Sequence, residues 1–169
     1  MILVVMGVSG CGKTTVAQAL ARRLGAPWLD ADAYHPQANI DKMSRGFPLT
    51  DEDRAGWLAL LAEQLRQRAD RPEGVVLACS ALKEAYREVL RVNAAVRFVY
   101  LKGTFELIEN RMKARTDHFM KPGLLASQFQ TLEEPACGPG TDAWAADISL
   151  DTEVLVEQAL AYFTQQRQP

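Results

Sequence analysis

The sequence has few cysteines and no large excess of charge of either sign. Cys11, Cys79 and Cys137 are odd in number and too far apart in the chain to form a metal-binding pair. This use of cysteine argues against a disulfide framework and fits a reducing cytoplasm. Nineteen basic and 21 acidic side chains leave a net charge of -2, which supplies no general field to hold a polyanion. We therefore expect a cytoplasmic protein that does not bind nucleic acid.

Long apolar runs and linkers are missing as well. No apolar stretch approaches the length of a membrane span, and residues 1–6 lack both a preceding basic region and a following cleavage site. We interpret residues 1–6 as a strand and expect no membrane partner. Because no Pro/Ser-rich linker divides the 169 residues, 48% of them hydrophobic, a single domain over residues 1–169 is expected.

Short strand patterns alternate with helical patterns along the chain. Apolar, β-branched runs predict strands at residues 2–6, 75–79 and 96–101, with weaker candidates at 27–30 and 146–150. Apolar residues at helical spacing predict helices over residues 13–24, 51–69, 84–91, 104–114 and 152–166. Such alternation builds a parallel sheet covered on both faces, so the expected class is α/β.

A glycine-rich stretch, GVSGCGKT at residues 7–14, matches the phosphate-loop pattern between a predicted strand and a predicted helix. Glycines let successive N–H groups face inward around an anion, and the helix adds its positive end. Lys13 then reaches the β- and γ-phosphates of a nucleotide, and the Thr14 hydroxyl ligates Mg²⁺. An ordinary glycine turn is the alternative. The candidate nucleotide-binding residues are Gly7, Val8, Ser9, Gly10, Cys11, Gly12, Lys13, Thr14 and Thr15.

Two motifs of other phosphate-loop proteins are absent. The chain has no Asn-Lys-x-Asp tetrapeptide, and the strand at residues 75–79 is not followed by an acidic pair. The acidic partner of the metal is therefore expected at Asp30 and Asp32, after the strand at residues 27–30. One carboxylate would hold the hydrated Mg²⁺ and the other would accept a proton from a substrate hydroxyl. Alternatively, both are solvated turn residues.

Basic residues recur at helical spacing in CSALKEAYREVL. Ser80 is expected to cap a helix on which Lys83 and Arg87 share one face at the sheet edge. An anionic substrate would relieve their mutual repulsion, and so would ordinary solvation.

A second basic segment follows the predicted helix at residues 104–114. Arg111 and Arg115 fit a lid over residues 111–127 that closes on the triphosphate and neutralises charge on the moving phosphoryl group. Alternatively, Arg111 pairs with Glu106 or Glu109 on its own helix. Lys113, His118 and Lys121 add to the basic character of this segment.

Several long stretches resemble the bacterial gluconokinases of the small P-loop kinase family. They are GVSGCGKTT, LDADAYHPQANIDKMSRGFPLTDEDRAGWL, CSALKEAYREVLR, YLKGTFELIENRMKAR followed by HFM, and SQFQTLEEP. The resemblance implies a three-layer P-loop NTPase fold of the nucleoside-monophosphate-kinase type, with a five-stranded parallel sheet in the order 2-3-1-4-5. It also implies transfer of the ATP γ-phosphate to the C6 hydroxyl of D-gluconate, a helical substrate-binding insertion at about residues 35–70, and a homodimer.

The same resemblance implies roles for individual residues. Lys13, Asp32 and Arg115 would be catalytic, with Asp32 at the reacting hydroxyl, while Thr14 and Asp30 would face magnesium. Arg111 would remain a lid residue that contacts the nucleotide. Residues expected around the sugar acid are Asp32, His35, Arg45, Arg54, Lys83, Arg87, Gln128 and Glu133, with Lys83 and Arg87 on its carboxylate.

Two places depart from the family pattern. Cys11 stands where serine or alanine is expected, which could make the phosphate loop oxidisable. The ACGPGTDAWA connection at residues 136–145 has no family counterpart, so adenine contacts there are in doubt. Two other functions stay open: a kinase for another small anion, such as shikimate or a nucleoside monophosphate, and a non-enzymatic protein whose nucleotide loop controls a partner.

Overall fold

The computed structural model describes residues 1–114 and 123–165. Five parallel strands form one sheet in the order β2-β3-β1-β4-β5, which confirms the predicted class and strand order. The strands are β1 (Ile2–Met6), β2 (Trp28–Asp30), β3 (Val75–Ala78), β4 (Val96–Lys102) and β5 (Ala143–Asp147). Because all strands run in one direction, their carboxyl ends meet along one edge of the sheet.

Helices occupy the connections between the strands. The helices are α1 (Lys13–Leu24), α2 (Gln37–Ser44), α3 (Asp51–Ala69), α4 (Glu84–Leu90), α5 (Phe105–Lys113), α6 (Leu124–Thr131) and α7 (Thr152–Gln165). The start of α3 is a capping box, in which the Thr50 hydroxyl accepts from the Asp53 amide and the Asp53 carboxylate accepts from the Thr50 amide.

The sheet carries a hydrophobic core on each face. Side chains of β1 alternate between the two: Leu3 and Val5 pack in the core that α1 and α7 cover, while Ile2, Val4 and Met6 pack in the core that α3 and α4 cover. All five side chains are fully buried. A strand buried on both faces reads as a continuous apolar run, which explains why β1 was recognisable from sequence.

Three features of the fold differ from the predictions. The fifth strand spans Ala143–Asp147 rather than residues 146–150. It ends at Asp147 because the Asp147 side chain accepts from the Ser149 amide and its carbonyl accepts from the Leu150 amide, which turns the chain. The helical patterns predicted neither α2 nor α6. Each is eight residues long and buries a single residue, Asn39 in α2 and Leu125 in α6, so neither shows an apolar stripe.

Within residues 1–114 and 123–165, none of the helices is long and apolar enough to cross a membrane.

Gly74 occupies the turn before β3 with a φ of 71°, and a Cβ atom there would lie 2.1 Å from the Met1 carbonyl oxygen. We expect Gly74→Ala to lower the free energy of unfolding by about 1–3 kcal/mol, because a left-handed residue and a backbone clash are both introduced. Gly56→Ala is the matched control. Gly56 is exposed within α3 with open space around it, so alanine should raise that free energy by about 0.5–1 kcal/mol. Urea unfolding measures both, and equal changes would contradict the structural difference.

Candidate active site

The phosphate loop joins the end of β1 to the start of α1. Gly7, Gly10 and Gly12 have φ values of 144°, 80° and 102°, a region that side chains disfavour, so the glycines are needed for this curl. No side chain in the described residues caps α1, and its first turn contains no acidic residue. The amide end of the helix therefore faces an anion with its positive dipole. The first turn contains Lys13, Thr14 and Thr15, and the two threonines are exposed.

One peptide group of the loop is held from both sides. Lys13 Nζ donates to the Val8 carbonyl oxygen at 3.0 Å, and the Ser9 amide donates to Gln128 Oε1 at 2.5 Å. The structure thus places Gln128 of α6 at the phosphate loop. Its side-chain oxygen accepts from the Ser9 backbone N–H, a group of the kind that binds phosphate in such loops.

Asp30 and Asp32 follow β2 at the carboxyl edge of the sheet, as predicted. Asp30 Oδ1 accepts from the Asp32 amide at 3.1 Å and caps the short 3₁₀ turn Ala31–Tyr34. The Asp32 carboxylate has no such local role among the described contacts.

Charged groups gather around the end of β3. Cys79 is fully buried there, and burial raises the pKa of its thiol to about 12. Lys13 and Arg54 act against this rise of the pKa, and Asp32 adds to it.

His35 is fixed by aromatic stacking. Its ring lies parallel to Trp57, with 4.2 Å between ring centroids and 12° between planes. The Trp57 indole N–H donates to the Ala31 carbonyl oxygen at 2.8 Å, and Asn39 Nδ2 donates to the Asp53 carbonyl oxygen at 2.9 Å. Asn39 Nδ2 also lies 3.4 Å from His35 Nδ1. These contacts join α2 and α3 to the turn that carries Asp32.

Lys83 and Arg54 form a cationic cluster with one acidic partner. Lys83 Nζ lies 2.8 Å from both carboxylate oxygens of Asp51, and the Tyr86 hydroxyl donates to the same carboxylate. Arg54 and Lys83 lie 5.8 and 5.6 Å from the centre of the Tyr86 ring. Hydrogen bonds from Lys83 and Tyr86 hold the pKa of Asp51 below its usual value. Sequence reasoning missed Asp51 and Tyr86, since an acid in a first helical turn already has a local explanation.

Arg87 is not a free cation beside Lys83. Its side chain is 1% exposed, and it donates to the Glu84 carboxylate and to the carbonyl oxygens of Ala81 and Leu82. The expected Ser80 cap is also wrong, because α4 begins at Glu84. The prediction that both cations share one substrate-facing surface is therefore corrected.

Two more predicted pocket residues have other partners. Glu133 Oε2 accepts from the Glu84 amide at 2.6 Å, and the Glu133 amide donates to the Leu82 carbonyl oxygen at 2.8 Å, so this residue caps α4. Arg45 ends α2, is exposed, and donates from Nε to the Asp41 carbonyl oxygen at 3.2 Å.

Among the described contacts, Arg111 pairs with neither Glu106 nor Glu109, and its role as a lid residue that contacts the nucleotide stays a prediction. Its Nη2 donates to the Ile148 carbonyl oxygen, while Lys113 forms the helical ion pair with Glu109 at 2.9 Å. This bond ties the end of α5 to the turn after β5. The same helix packs against the phosphate loop, because a Cβ atom at Gly10 would lie 2.6 Å from Met112 Cγ.

Cys11 is buried, and burial raises the pKa of its thiol. A protonated, inaccessible thiol reacts slowly, so the structure does not support the expectation that it makes the loop oxidisable. Arg115, His118 and Lys121 belong to residues 115–122 of the predicted lid at residues 111–127, and this part lies outside the described residues.

Part of the glycine-rich connection before β5 lies at the opposite edge of the sheet from the phosphate loop. Gly140, Thr141 and Asp142 line a shallow surface depression with Arg97. Arg97 lies near the start of β4 and Asp142 directly before β5, so the depression opens at the amino edge of the sheet, opposite the phosphate loop. It is not part of the nucleotide site.

The phosphate loop and the 2-3-1-4-5 sheet define the protein as a P-loop kinase. A family model described as an AAA domain matches residues 2–135. The thermoresistant gluconokinase of Escherichia coli (strain K12) is 46% identical over 162 residues, which cover 94% of this chain and 91% of that protein. The chain belongs to the gluconokinase family.

Two further comparisons agree. The gluconokinase of Gluconobacter oxydans (strain 621H) is 46% identical over 164 residues, 95% of this chain and 90% of that protein. The crystal structure of a gluconokinase from Sinorhizobium meliloti 1021 superposes with a TM-score of 0.85 at 45% identity, covering 96% of this chain and 91% of that one. The predicted family is confirmed.

Burial lowers the pKa of His35 from 6.5, with Asp32 opposing the shift and Arg54 reinforcing it. We expect His35 to titrate below pH 6.5 in an NMR pH series, with His118→Gln used to assign its signal. Because the folded-state pKa is depressed, the unfolded chain binds this proton first, and His35 should reduce stability as pH falls through 6.5.

Asp32→Asn removes the opposing charge and should lower the His35 pKa further, whereas Asp30→Asn should leave it almost unchanged. Equal effects of the two substitutions would contradict the placement of Asp32 beside the imidazole.

Proposed function

We propose that the protein transfers the γ-phosphoryl group of ATP to the C6 hydroxyl of D-gluconate, giving 6-phospho-D-gluconate and ADP. The observation that carries this proposal is that the phosphate loop after β1, Asp30 and Asp32 after β2, and Lys83 after β3 follow neighbouring parallel strands at one edge of the sheet. The names and identities of the family relatives support gluconate as the acceptor.

The phosphate loop and Lys13 bind the triphosphate. Inward-facing amides and the amide end of α1 hold phosphate oxygens, and the Lys13 ammonium follows the charge that moves to the β–γ bridge. To do so, Lys13 exchanges its bond to the Val8 carbonyl oxygen for phosphate oxygens. Likewise, the Ser9 N–H either exchanges its bond to Gln128 for a phosphate oxygen or donates to both.

The donor set at this edge suits Mg²⁺. No group of three His, Cys, Asp or Glu side chains in the described residues could hold a metal by itself. Magnesium is commonly bound by one or two protein oxygens together with substrate phosphates, and the exposed Thr14 hydroxyl and the Asp30 carboxylate are hard oxygen donors of that kind. When bound, the ion neutralises phosphate charge.

Asp32 accepts the proton of the reacting hydroxyl. Its side chain is exposed at the carboxyl edge of the sheet, directly after β2, where a bound hydroxyl can reach a base. His35, whose ring Trp57 holds in place, lies beside it and orients the sugar chain.

Lys83 binds the carboxylate of the sugar acid, with Arg54 and Tyr86 beside it. In the structure the Asp51 carboxylate accepts from Lys83 and Tyr86, so the substrate carboxylate replaces it or shares Lys83 with it. This assignment leaves Arg87 out, because its donors are bonded inside the protein. We expect Arg45 and Glu133 only at the rim of the sugar acid pocket. The role of Arg115 as a catalytic lid residue stays a prediction.

A homodimer in the cytoplasm remains our expectation. Cys11, Cys79 and Cys137 are free thiols, as suits a reducing compartment.

An ADP-release assay with gluconate, shikimate and AMP offered in parallel tests the function. We expect gluconate to stimulate ADP release by more than about 10²-fold over ATP alone, the lower range for proton transfer by a positioned base. Stimulation by shikimate or AMP alone would indicate a kinase for another small anion. Binding of ATP without stimulation by any acceptor would indicate a non-enzymatic nucleotide-binding protein.

Asp32→Asn should lower kcat by about 10²- to 10⁴-fold and leave the Kd for ATP nearly unchanged, because it removes a base that contacts only the acceptor. Asp41→Asn is the matched control, since this exposed α2 carboxylate bonds only Gln37 among the described side chains. Steady-state kinetics and calorimetry measure both quantities. An unchanged kcat for Asp32→Asn would rule out the proposed role.

A further inference from the structure

The turn that follows β3 contains a backbone conformation that needs support. Ala81 has a φ of 44° and is the non-glycine residue with positive φ in the described chain. This left-handed conformation is unfavourable for alanine, which has a Cβ atom. Both Ala81 and Leu82 are buried. We define residues Ser80–Lys83 as the β3–α4 turn.

We infer that Arg87 is a positioning residue that holds the β3–α4 turn in the shape that presents Lys83 to the sugar acid. This inference rests on the proposed function for the role of Lys83, whereas the support of the turn by Arg87 can be tested without it.

The Arg87 guanidinium has several partners in the turn and in α4. Nη1 lies 3.0 Å from the Ala81 carbonyl oxygen and 3.2 Å from that of Leu82, while Nε and Nη2 bond Glu84 Oε2 at 2.8 and 2.6 Å. A planar guanidinium can donate in these directions at once, which an ammonium cannot. Arg87 thereby clamps the two central carbonyls of the turn onto α4.

The rest of the turn is anchored differently. On the sheet side, the Cys79 amide donates to the Val5 carbonyl oxygen and the Gly7 amide donates to the Ser80 carbonyl oxygen, which continues the pairing of β1 with β3. The Glu133 amide also donates to the Leu82 carbonyl oxygen. Loss of Arg87 should therefore displace the helix side of the turn, next to Lys83, more than the phosphate-loop side.

A displaced turn should change KM for gluconate and KM for ATP differently. Lys83 would no longer be held for the sugar carboxylate, so KM for gluconate should rise while KM for ATP changes little. Small displacements of a binding group reduce kcat/KM by up to about 10²-fold. Glycine at position 81 adopts the left-handed conformation without a Cβ penalty, so it reduces the need for support.

The test compares Arg87→Ala, Ala81→Gly, the double variant and Arg91→Ala. Arg91 is the matched control, because it lies on the same helix and also pairs with Glu84 but donates to Glu88 and Asp142 instead of the turn. Each protein is measured for KM of gluconate and of ATP and for its urea unfolding midpoint.

We expect Arg87→Ala to raise KM for gluconate about 10-fold or more, with KM for ATP within about 3-fold of the unsubstituted protein. Ala81→Gly alone should change KM for gluconate little. In the double variant, KM for gluconate should be at least about 3-fold lower than in Arg87→Ala. Arg91→Ala should shift the unfolding midpoint without raising KM for gluconate. Equal KM changes in Arg87→Ala and Arg91→Ala, or no recovery by glycine, would overturn the inference.

Two precautions keep the result decisive. If Arg87→Ala does not fold, Arg87→Lys retains the charge and most of the buried volume, and its KM for gluconate should still rise and still be recovered by Ala81→Gly. If the unsubstituted protein does not phosphorylate gluconate, only the proposed function fails. Non-additive changes of the unfolding midpoint for residues 81 and 87 would still support the clamp, and additive changes would refute it.

Discussion

The hydrogen bonds between β1 and β3 continue past both strand ends, and the site depends on this continuation. The Cys79 amide bonds Val5 and the Gly7 amide bonds Ser80, so the first residue of the phosphate loop is joined directly to the turn that leads to Lys83. Backbone bonds in a buried sheet leave little freedom for relative motion. The nucleotide loop and the proposed sugar acid pocket are therefore parts of one rigid edge.

Charge is arranged locally in this protein rather than globally. The chain carries a net charge of -2, yet Lys13 lies at the start of α1, after the end of β1, and Arg54 and Lys83 gather at the Tyr86 ring, after the end of β3. Asp32 and Asp51 balance this cationic surface in the structure. A local cationic site suits an anionic substrate and a triphosphate, and the overall charge then has no bearing on which ligand binds.

Most of the sheet and the phosphate loop could be predicted, whereas the contacts of single side chains could not. Strands buried on both faces read as apolar runs, and apolar residues at helical spacing over residues 51–69 predicted α3. Helix α2 was missed because it is short and largely exposed, and the end of β5 was misplaced because a turn at Asp147 stops an apolar run that continues to Leu150. Gln128 was assigned to the sugar pocket but bonds the phosphate loop, since sequence cannot show which surface a distant helix packs against.

The sequence by itself determined the phosphate loop, because positive φ angles at Gly7, Gly10 and Gly12 are a local property of residues without a Cβ atom. Tertiary structure alone decided the roles of Lys83 and Arg87, two cations four residues apart on one segment. Lys83 stays partly exposed beside Asp51, whereas Arg87 is buried against the carbonyls of its own turn. Burial and partners come from the elements packed around a side chain, and no local pattern of residues specifies them.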